Sequence, residues 1–357
     1  MTGRANLKIC CLLLFVFAVC FCLSGCVRTD GPSAGISPAA DEPESAVRIG
    51  FAFDSFVIER WTRDRDVFVS TAEELGAEVN IQNANGDVEK QISQIEYLIQ
   101  KKMDVIVIIA IDGEALLDVT RKAKEAGIRI VCYDRLIRNA GCDLYISFDN
   151  EMVGRLMGEA LVRALPEGGD LFAIYGSQSD NNVSQVKQGF EEAIRGSRLH
   201  VIYFGYCTNW LAELAFDEVS EGLEQYDHVD GIMCGNDDLA SQAIRALSEH
   251  MLAGKVAVVA QDADLSACQR IMEGTQEMTV YKPVDELARQ AAILSVKLGG
   301  GTVSESVDAE AAETIDDGTS DVPYYRIEPV AVTKENMDRE IIESGFHRRE
   351  DVYLNVS

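Results

Sequence analysis

Polar and aromatic side chains recur in this sequence at one kind of place, directly after a short apolar run and at or near the start of an amphipathic stretch. Arg60 and Trp61 open the first such stretch, and Asp134 and Arg135 follow the run 128–133. Asp180 and Asn182 come after the run 171–175, and Trp210 after 199–206. Asn236 follows the run ending at Cys234, Asp262 the one ending at Ala260, and Lys282 the one ending at Tyr281. Carboxylates accept hydrogen bonds, guanidinium and ammonium groups donate them, and carboxamides do both, so the set suits a ligand rimmed with hydroxyls. Trp61 and Trp210, the two tryptophans of the chain, offer flat apolar faces of the kind that cover the C–H side of a pyranose. Each residue alone has a plainer reading. Asp134 and Arg135 would make a surface ion pair, Asp180 and Asn236 helix N-caps, Lys282 before Pro283 a turn, and either tryptophan a core residue. Repetition of the pattern at strand end after strand end favours a shared pocket.

The elements that must position these residues alternate in type. Apolar, β-branched runs predict strands over 47–53, 77–82, 105–110, 128–133, 144–148, 171–175, 199–206, 231–234, 256–260 and 278–281. Between them, apolar residues at helical spacing predict helices over 59–75, 88–101, 113–126, 152–165, 183–195, 211–225, 239–250, 265–273 and 286–298. Repeated βα units with short connections mean parallel sheets with helices on both faces. Two runs of similar length predict an α/β chain of two similar doubly wound domains with a ligand cleft between them. Residues 299–321, with three glycines and then an acidic, alanine-rich stretch, read as an exposed loop. The ligand spacing and turn glycine of a calcium loop are absent there. One further strand over 324–332 and a last helix over 336–344 follow.

The chain of 357 residues carries 32 basic and 59 acidic residues, a formal charge of −27. This excludes a nucleic-acid binder and a protein that rests on an anionic membrane surface. The N-terminus nevertheless points to a membrane. Arg4 and Lys8 precede the almost wholly apolar run 9–23, too short for a comfortable span, and Leu23-Ser24-Gly25-Cys26 follows. That quartet resembles a bacterial lipobox, which implies cleavage after a signal of residues 1–25 and lipidation of Cys26. Residues 26–46, rich in Pro, Gly, Ser and Ala, read as a flexible tether. Beyond Cys26, the cysteines Cys132, Cys142, Cys207, Cys234 and Cys268 are odd in number and widely spaced. They show neither a disulfide framework nor a zinc motif.

Several segments together resemble the ribose-binding-like, type I periplasmic sugar-binding family, and its xylose-binding members in particular. They are Glu59-Arg60-Trp61, Tyr133-Asp134-Arg135, residues 145–150, Asp180-Asn181-Asn182, residues 261–264 and 274–283, Asp321-Val322-Pro323, and Ser344 to His347. The resemblance runs from about residue 47 to 347. It implies sugar contacts from Arg60, Asp134, Arg135, Asp180, Asn182, Trp210, Asn236, Asp262 and Lys282, with Trp61 beside the first. It implies two lobes, residues 47–149 with 283–322 and residues 150–282 with 323–347, followed by a tail over 348–357. The chain would cross between lobes near 148–150, 281–283 and 322–325. Residues 54–57 and 206–208 depart from the xylose-binding pattern. The implied protein is a lipid-anchored, extracytoplasmic monomer that is not an enzyme and uses no cofactor or metal. It would close on a monosaccharide, D-xylose, and deliver it to an ABC-type permease with its ATPase. A sugar sensor that presents its closed form to a chemoreceptor or histidine kinase is the alternative. A dinucleotide-dependent enzyme would need Gly-x-Gly-x-x-Gly after the first strand, and Phe51 to Ser55 has none.

Overall fold

The structure, a computed structural model, describes residues 46–300, 311 and 313–356. The export signal, Cys26 and almost all of the tether lie outside the described residues, as does the centre of the acidic stretch.

The first lobe is built on strands that are apolar along their whole length. β1 (Arg48–Phe53), β3 (Val105–Ile108), β4 (Arg129–Tyr133) and β5 (Leu144–Phe148) are buried almost throughout, as continuous apolar runs must be when helices cover both faces. Each fully buried branched side chain contributes on the order of 1.5–3 kcal/mol. With β2 (Glu78–Asn83) at one edge the order is β2-β1-β3-β4-β5, all parallel. Helices α1 (Arg60–Glu74), α2 (Val88–Gln100) and α3 (Leu117–Glu125) connect these strands.

After β5 the chain leaves this sheet. Helix α4 (Asn150–Ala164) begins a second lobe with β6 (Gly169–Tyr175), α5 (Asn181–Ile194), β7 (Leu199–Tyr206) and α6 (Ala212–Gln225). It continues with β8 (Gly231–Cys234), α7 (Asp237–Glu249), β9 (Ala257–Gln261), α8 (Leu265–Glu273) and β10 (Met278–Tyr281). The chain then returns through α9 (Val284–Gly299), which packs on α1 and on the first sheet. Two α/β units of the same winding, joined by three chain crossings, make up the molecule.

Three details differ from the sequence reading. The stretch read as exposed loop includes an edge strand, β11 (Glu313–Asp316), antiparallel to β12 (Asp321–Ile327). Pairing of β12 with β5 extends the first sheet. The single strand expected over 324–332 is in fact two. β12 ends at Ile327, and β13 (Val330–Val332) joins the second sheet antiparallel to β10. The third crossing therefore falls at Glu328-Pro329, later than expected, because a proline at that point cannot continue a ladder. Residues 323–327, assigned to the second lobe in the sequence reading, lie in the sheet of the first. The segment expected as a tail contains a short helix, α10 (Arg349–Val352), which packs on α8 with Val352 buried.

Helices α4 and α5 approach unusually closely because glycines line their contact. A methyl group on Gly154 would meet the carbonyl oxygen of Val186, and one on Gly189 would meet that of Glu151. Gly154→Ala is expected to destabilise the protein by roughly 1–3 kcal/mol through overpacking. A lowered urea midpoint at unchanged slope would show it, and an unchanged midpoint would refute the close packing.

Candidate ligand-binding site

In each sheet the winding direction reverses beside the first strand of its lobe, between β1 and β3 and between β6 and β8. Connections leave such a point in opposite directions and open a crevice beyond the carboxyl ends of the strands. The two crevices face one another and form one cavity. All ten residues picked from the sequence line it: Arg60, Trp61, Asp134, Arg135, Asp180, Asn182, Trp210, Asn236, Asp262 and Lys282.

In the first lobe Asp134 is the centre. It follows β4 with φ of 64°, a left-handed conformation that costs energy outside glycine. Its N–H donates to the carbonyl of Ile146 at 2.8 Å, and its own carbonyl accepts from Ser147 Oγ at 2.7 Å and the Tyr145 hydroxyl at 3.0 Å. So anchored, its carboxylate meets Arg60 at 2.5 Å. Arg60 also reaches Asp64 one helical turn on, at 3.2 Å, and its guanidinium lies 4.2 Å from the Trp61 ring. Burial pushes the Asp64 carboxyl up to about 6, against the pull of Arg60 and the Tyr133 hydroxyl. Burial also acts to raise Asp134, yet Arg60, Lys282 and Arg135 outweigh it and hold that carboxyl below its ordinary range.

Arg135 ties the lobes together. It donates to Asp54 after β1 at 2.9 Å and to the Ala110 carbonyl after β3 at 3.0 Å. Its Nε lies 2.7 Å from Asp180 of the second lobe, close enough for charge attraction though not aligned for a hydrogen bond. Asp180 caps α5 through the Asn182 N–H at 2.9 Å and accepts from the Trp210 indole at 3.2 Å. Asn182 reaches across to the Asp134 carboxylate at 2.6 Å. Asp180 thus both caps α5 and lines the cavity, positions that the sequence reading held as alternatives. Trp210 lies against Gly176 and Gly235, neither of which leaves room for a side chain. At the far end, Lys282 meets Asp262 at 2.7 Å, and Asn236 caps α7 through the Leu239 N–H at 2.9 Å.

The lining contains three cations, Arg60, Arg135 and Lys282, and three carboxylates, Asp134, Asp180 and Asp262. Each of these cations already pairs with a buried carboxylate, which suits a neutral ligand, because an ionic one would leave a buried charge uncompensated. Several polar atoms of lining residues are buried without a hydrogen-bond or ion-pair partner: Arg60 Nε, Asn182 Oδ1, Asn236 Nδ2 and Gln261 Oε1. Buried polar atoms seldom stay unpaired, and this mixture of donors and acceptors is what a ring of hydroxyls satisfies. One indole comes from each lobe to bracket the same space.

At the rim, Glu59, Asp238 and Asp264 bring carboxylate oxygens within 4.8 Å of one another. Burial and the neighbouring carboxylates push Asp238 up to about 6 and Asp264 well above its ordinary value, so protonation relieves the crowding.

Sequence reasoning missed Asp54, Asp64, Asn150 and Gln261. Asn150 and Gln261 line the cavity, while Asp54 and Asp64 hold Arg135 and Arg60 from behind. Asp64 stands four residues after Arg60, a helical pairing distance, and Asp54 directly follows β1, so both carried a signal.

Two hinged α/β lobes around a buried, charge-balanced polar cleft define a bilobal ligand-binding protein of the type I periplasmic-binding fold. A profile of the periplasmic binding protein domain matches residues 49–302. A D-xylose-binding periplasmic protein of Haemophilus influenzae is 43% identical over 86% of this chain and 92% of its own length. That of Escherichia coli is 41% identical over 86% of this chain and 92% of its own length. An ABC transporter solute-binding protein from Clostridium phytofermentans, solved with bound β-D-glucose, superposes with a TM-score of 0.75 at 27% identity. The superposition covers 85% of this chain and 99% of that one. The chain belongs to the periplasmic binding protein family.

The raised Asp64 carboxyl carries a sign. Its value of about 6 in the folded protein lies above the ordinary 3.8. Its stabilising contribution is therefore full below about pH 4 and is lost as pH rises towards 6, by roughly 3 kcal/mol. Asp64→Asn keeps an acceptor for Tyr133 and Arg60 and removes the titration. The difference in melting temperature between wild type and variant should change across pH 4–6 and stay constant above it. A difference independent of pH would refute the assignment.

Proposed function

We propose that this protein is an extracytoplasmic solute-binding protein whose lobes close on one monosaccharide, D-xylose, and that the closed form hands the sugar to an ABC-type importer. The observation that carries this reading is the cleft itself, charge-balanced, bracketed by Trp61 and Trp210, and lined with unpaired donors and acceptors. Arg60, Asp134 and Arg135 of the first lobe and Asp180, Asn182, Trp210, Asn236 and Asp262 of the second would contact the hydroxyls and ring faces, with Lys282 at a crossing between lobes. A ligand that touches both lobes binds best when they meet, so binding shifts the population towards closure. The names of the 43% and 41% identical relatives support D-xylose as the sugar. No described helix is long and apolar enough to cross a membrane. Attachment would instead come from lipid on Cys26, as the Leu23-Ser24-Gly25-Cys26 quartet suggests.

Calorimetric titration against D-xylose, D-ribose, D-glucose, D-galactose and L-arabinose tests the ligand. One-to-one binding that is tightest for D-xylose is expected, and tighter binding of another sugar would replace it. Asp262→Ala should weaken binding about a hundredfold or more, since it removes a charged acceptor and leaves Lys282 unpaired. The circular dichroism of the variant should be native. Unchanged affinity would overturn the pocket assignment.

Cys26→Ser should release the protein from the membrane fraction into the soluble one. A variant that still sediments with membranes would remove the lipid anchor.

A further inference from the structure

Cys132 lies in β4, two residues before Asp134, and is fully buried. Cys142 lies in the connection that returns to β5 and is 4% exposed. Their sulfurs are 2.7 Å apart. No histidine, carboxylate or third cysteine completes a metal-ligand set around them among the described residues. The other described cysteines, Cys207, Cys234 and Cys268, are buried thiols in the second lobe.

The backbone holds the pair together independently of the sulfurs. Asp143, next to Cys142, exchanges two hydrogen bonds with Ile130 at the start of β4. The Asp143 N–H donates to the Ile130 carbonyl at 2.8 Å, and its carboxylate accepts the Ile130 N–H at 2.8 Å. Further along the connection, the Gly141 N–H donates to Asp317 at 2.6 Å. The connection therefore meets β4 at its base in a fixed geometry that keeps the two sulfurs face to face. Its other end carries Asp134 and Arg135 into the ligand cleft.

We infer that Cys132 and Cys142 form a disulfide in the exported protein, closing a loop that presents Asp134 and Arg135 to the ligand. The inference goes beyond the proposed function and rests on it only for location, since disulfides persist in extracytoplasmic compartments. In the balanced step the two cysteine S–H bonds break and one S–S bond forms. The two electrons and two protons pass to the disulfide of an oxidant, a thiol–disulfide oxidoreductase or a small-molecule disulfide, which leaves as two thiols. Contact with Cys132, then burial, pushes the Cys142 thiol well above its ordinary range, so the folded dithiol is a poor nucleophile. Oxidation accordingly belongs to the folding chain, before the lobe closes over the pair. The bond would limit how far the loop can stray in the unfolded state and hold the two binding residues in register with β4.

The test uses the full chain, exported by its own signal, alkylated in denaturant without reductant and digested with trypsin. The expected product is a linked pair of peptides 130–135 and 139–155, two hydrogens lighter than their sum. Reductant should resolve it, while Cys207, Cys234 and Cys268 are alkylated without reductant. Recovery of both Cys132 and Cys142 as alkylated thiols from exported protein would overturn the inference. Should fractionation show that the chain is not exported, the protein is unfolded, reduced and refolded in a glutathione redox buffer. Selective linkage of this pair upholds the inference there, and free thiols at both positions overturn it. Reductant should also lower the thermal midpoint by roughly 5 °C, the size expected for so short a loop. Cys132→Ala/Cys142→Ala should show no such dependence, and an equal shift in that double variant would contradict the bond.

Discussion

Ionic groups taken out of water must be paired, and the interior of this protein is arranged around that requirement. Arg60, Arg135, Asp134 and Asp180 are each no more than about 5% exposed. None could be buried alone, since breaking one member out of a buried pair costs roughly 3–5 kcal/mol. Asp134 answers the constraint most fully. Its carboxylate is shared by Arg60 and Asn182, and its carbonyl is held by two hydroxyls and by Asn182 as well. Its left-handed backbone is the strain that this density of bonds sustains.

The pairs cross the cleft. Arg135 attracts Asp180, Asn182 donates to Asp134, the Leu136 N–H donates to Asn181, and Ser179 donates to the Ile111 carbonyl. Each of these joins a strand end of one lobe to the head of α5 or the turn before it. Separation of the lobes would place these groups back in water, where hydration replaces them at little net cost. The protein's own bonds therefore bias the lobes only weakly, and a bound molecule that satisfies the remaining unpaired atoms can decide their position.

Much of this was legible in the sequence because two kinds of local signal coincide. The β-branched run 105–108 reads as a buried central strand, and the recurrence of polar residues at its neighbours' ends favoured a crevice there. Where a signal was not local, the reading failed. Asp54 directly after β1 and Asp64 one turn after Arg60 each carried a local signal, but their partners Arg135 and Tyr133 lie 81 and 69 positions away, distances at which spacing does not reveal the pairing. In the strand Glu313–Asp316 only Ile315 is partly buried, too little to impose an alternation, so its acidic residues resembled a loop. Ile327 and Val330 are both apolar enough to belong to one strand, and only Pro329 between them marks the change of sheet.

Two of the three crossings carry cavity-lining residues. Asn150 begins α4 immediately after β5, and Lys282 stands between β10 and α9. The backbone torsions that set the angle between lobes are thus those of residues whose side chains face the cleft. Occupancy needs no relay to reach the pivot. Were a bound ligand to hydrogen-bond Asn150 or Lys282, that bond would act at the crossing itself, and a stiffer or looser crossing would change affinity and lobe angle together. On the proposed reading, a substitution at either position would be constrained mechanically as well as chemically, in a way that one on the Trp210 wall would not.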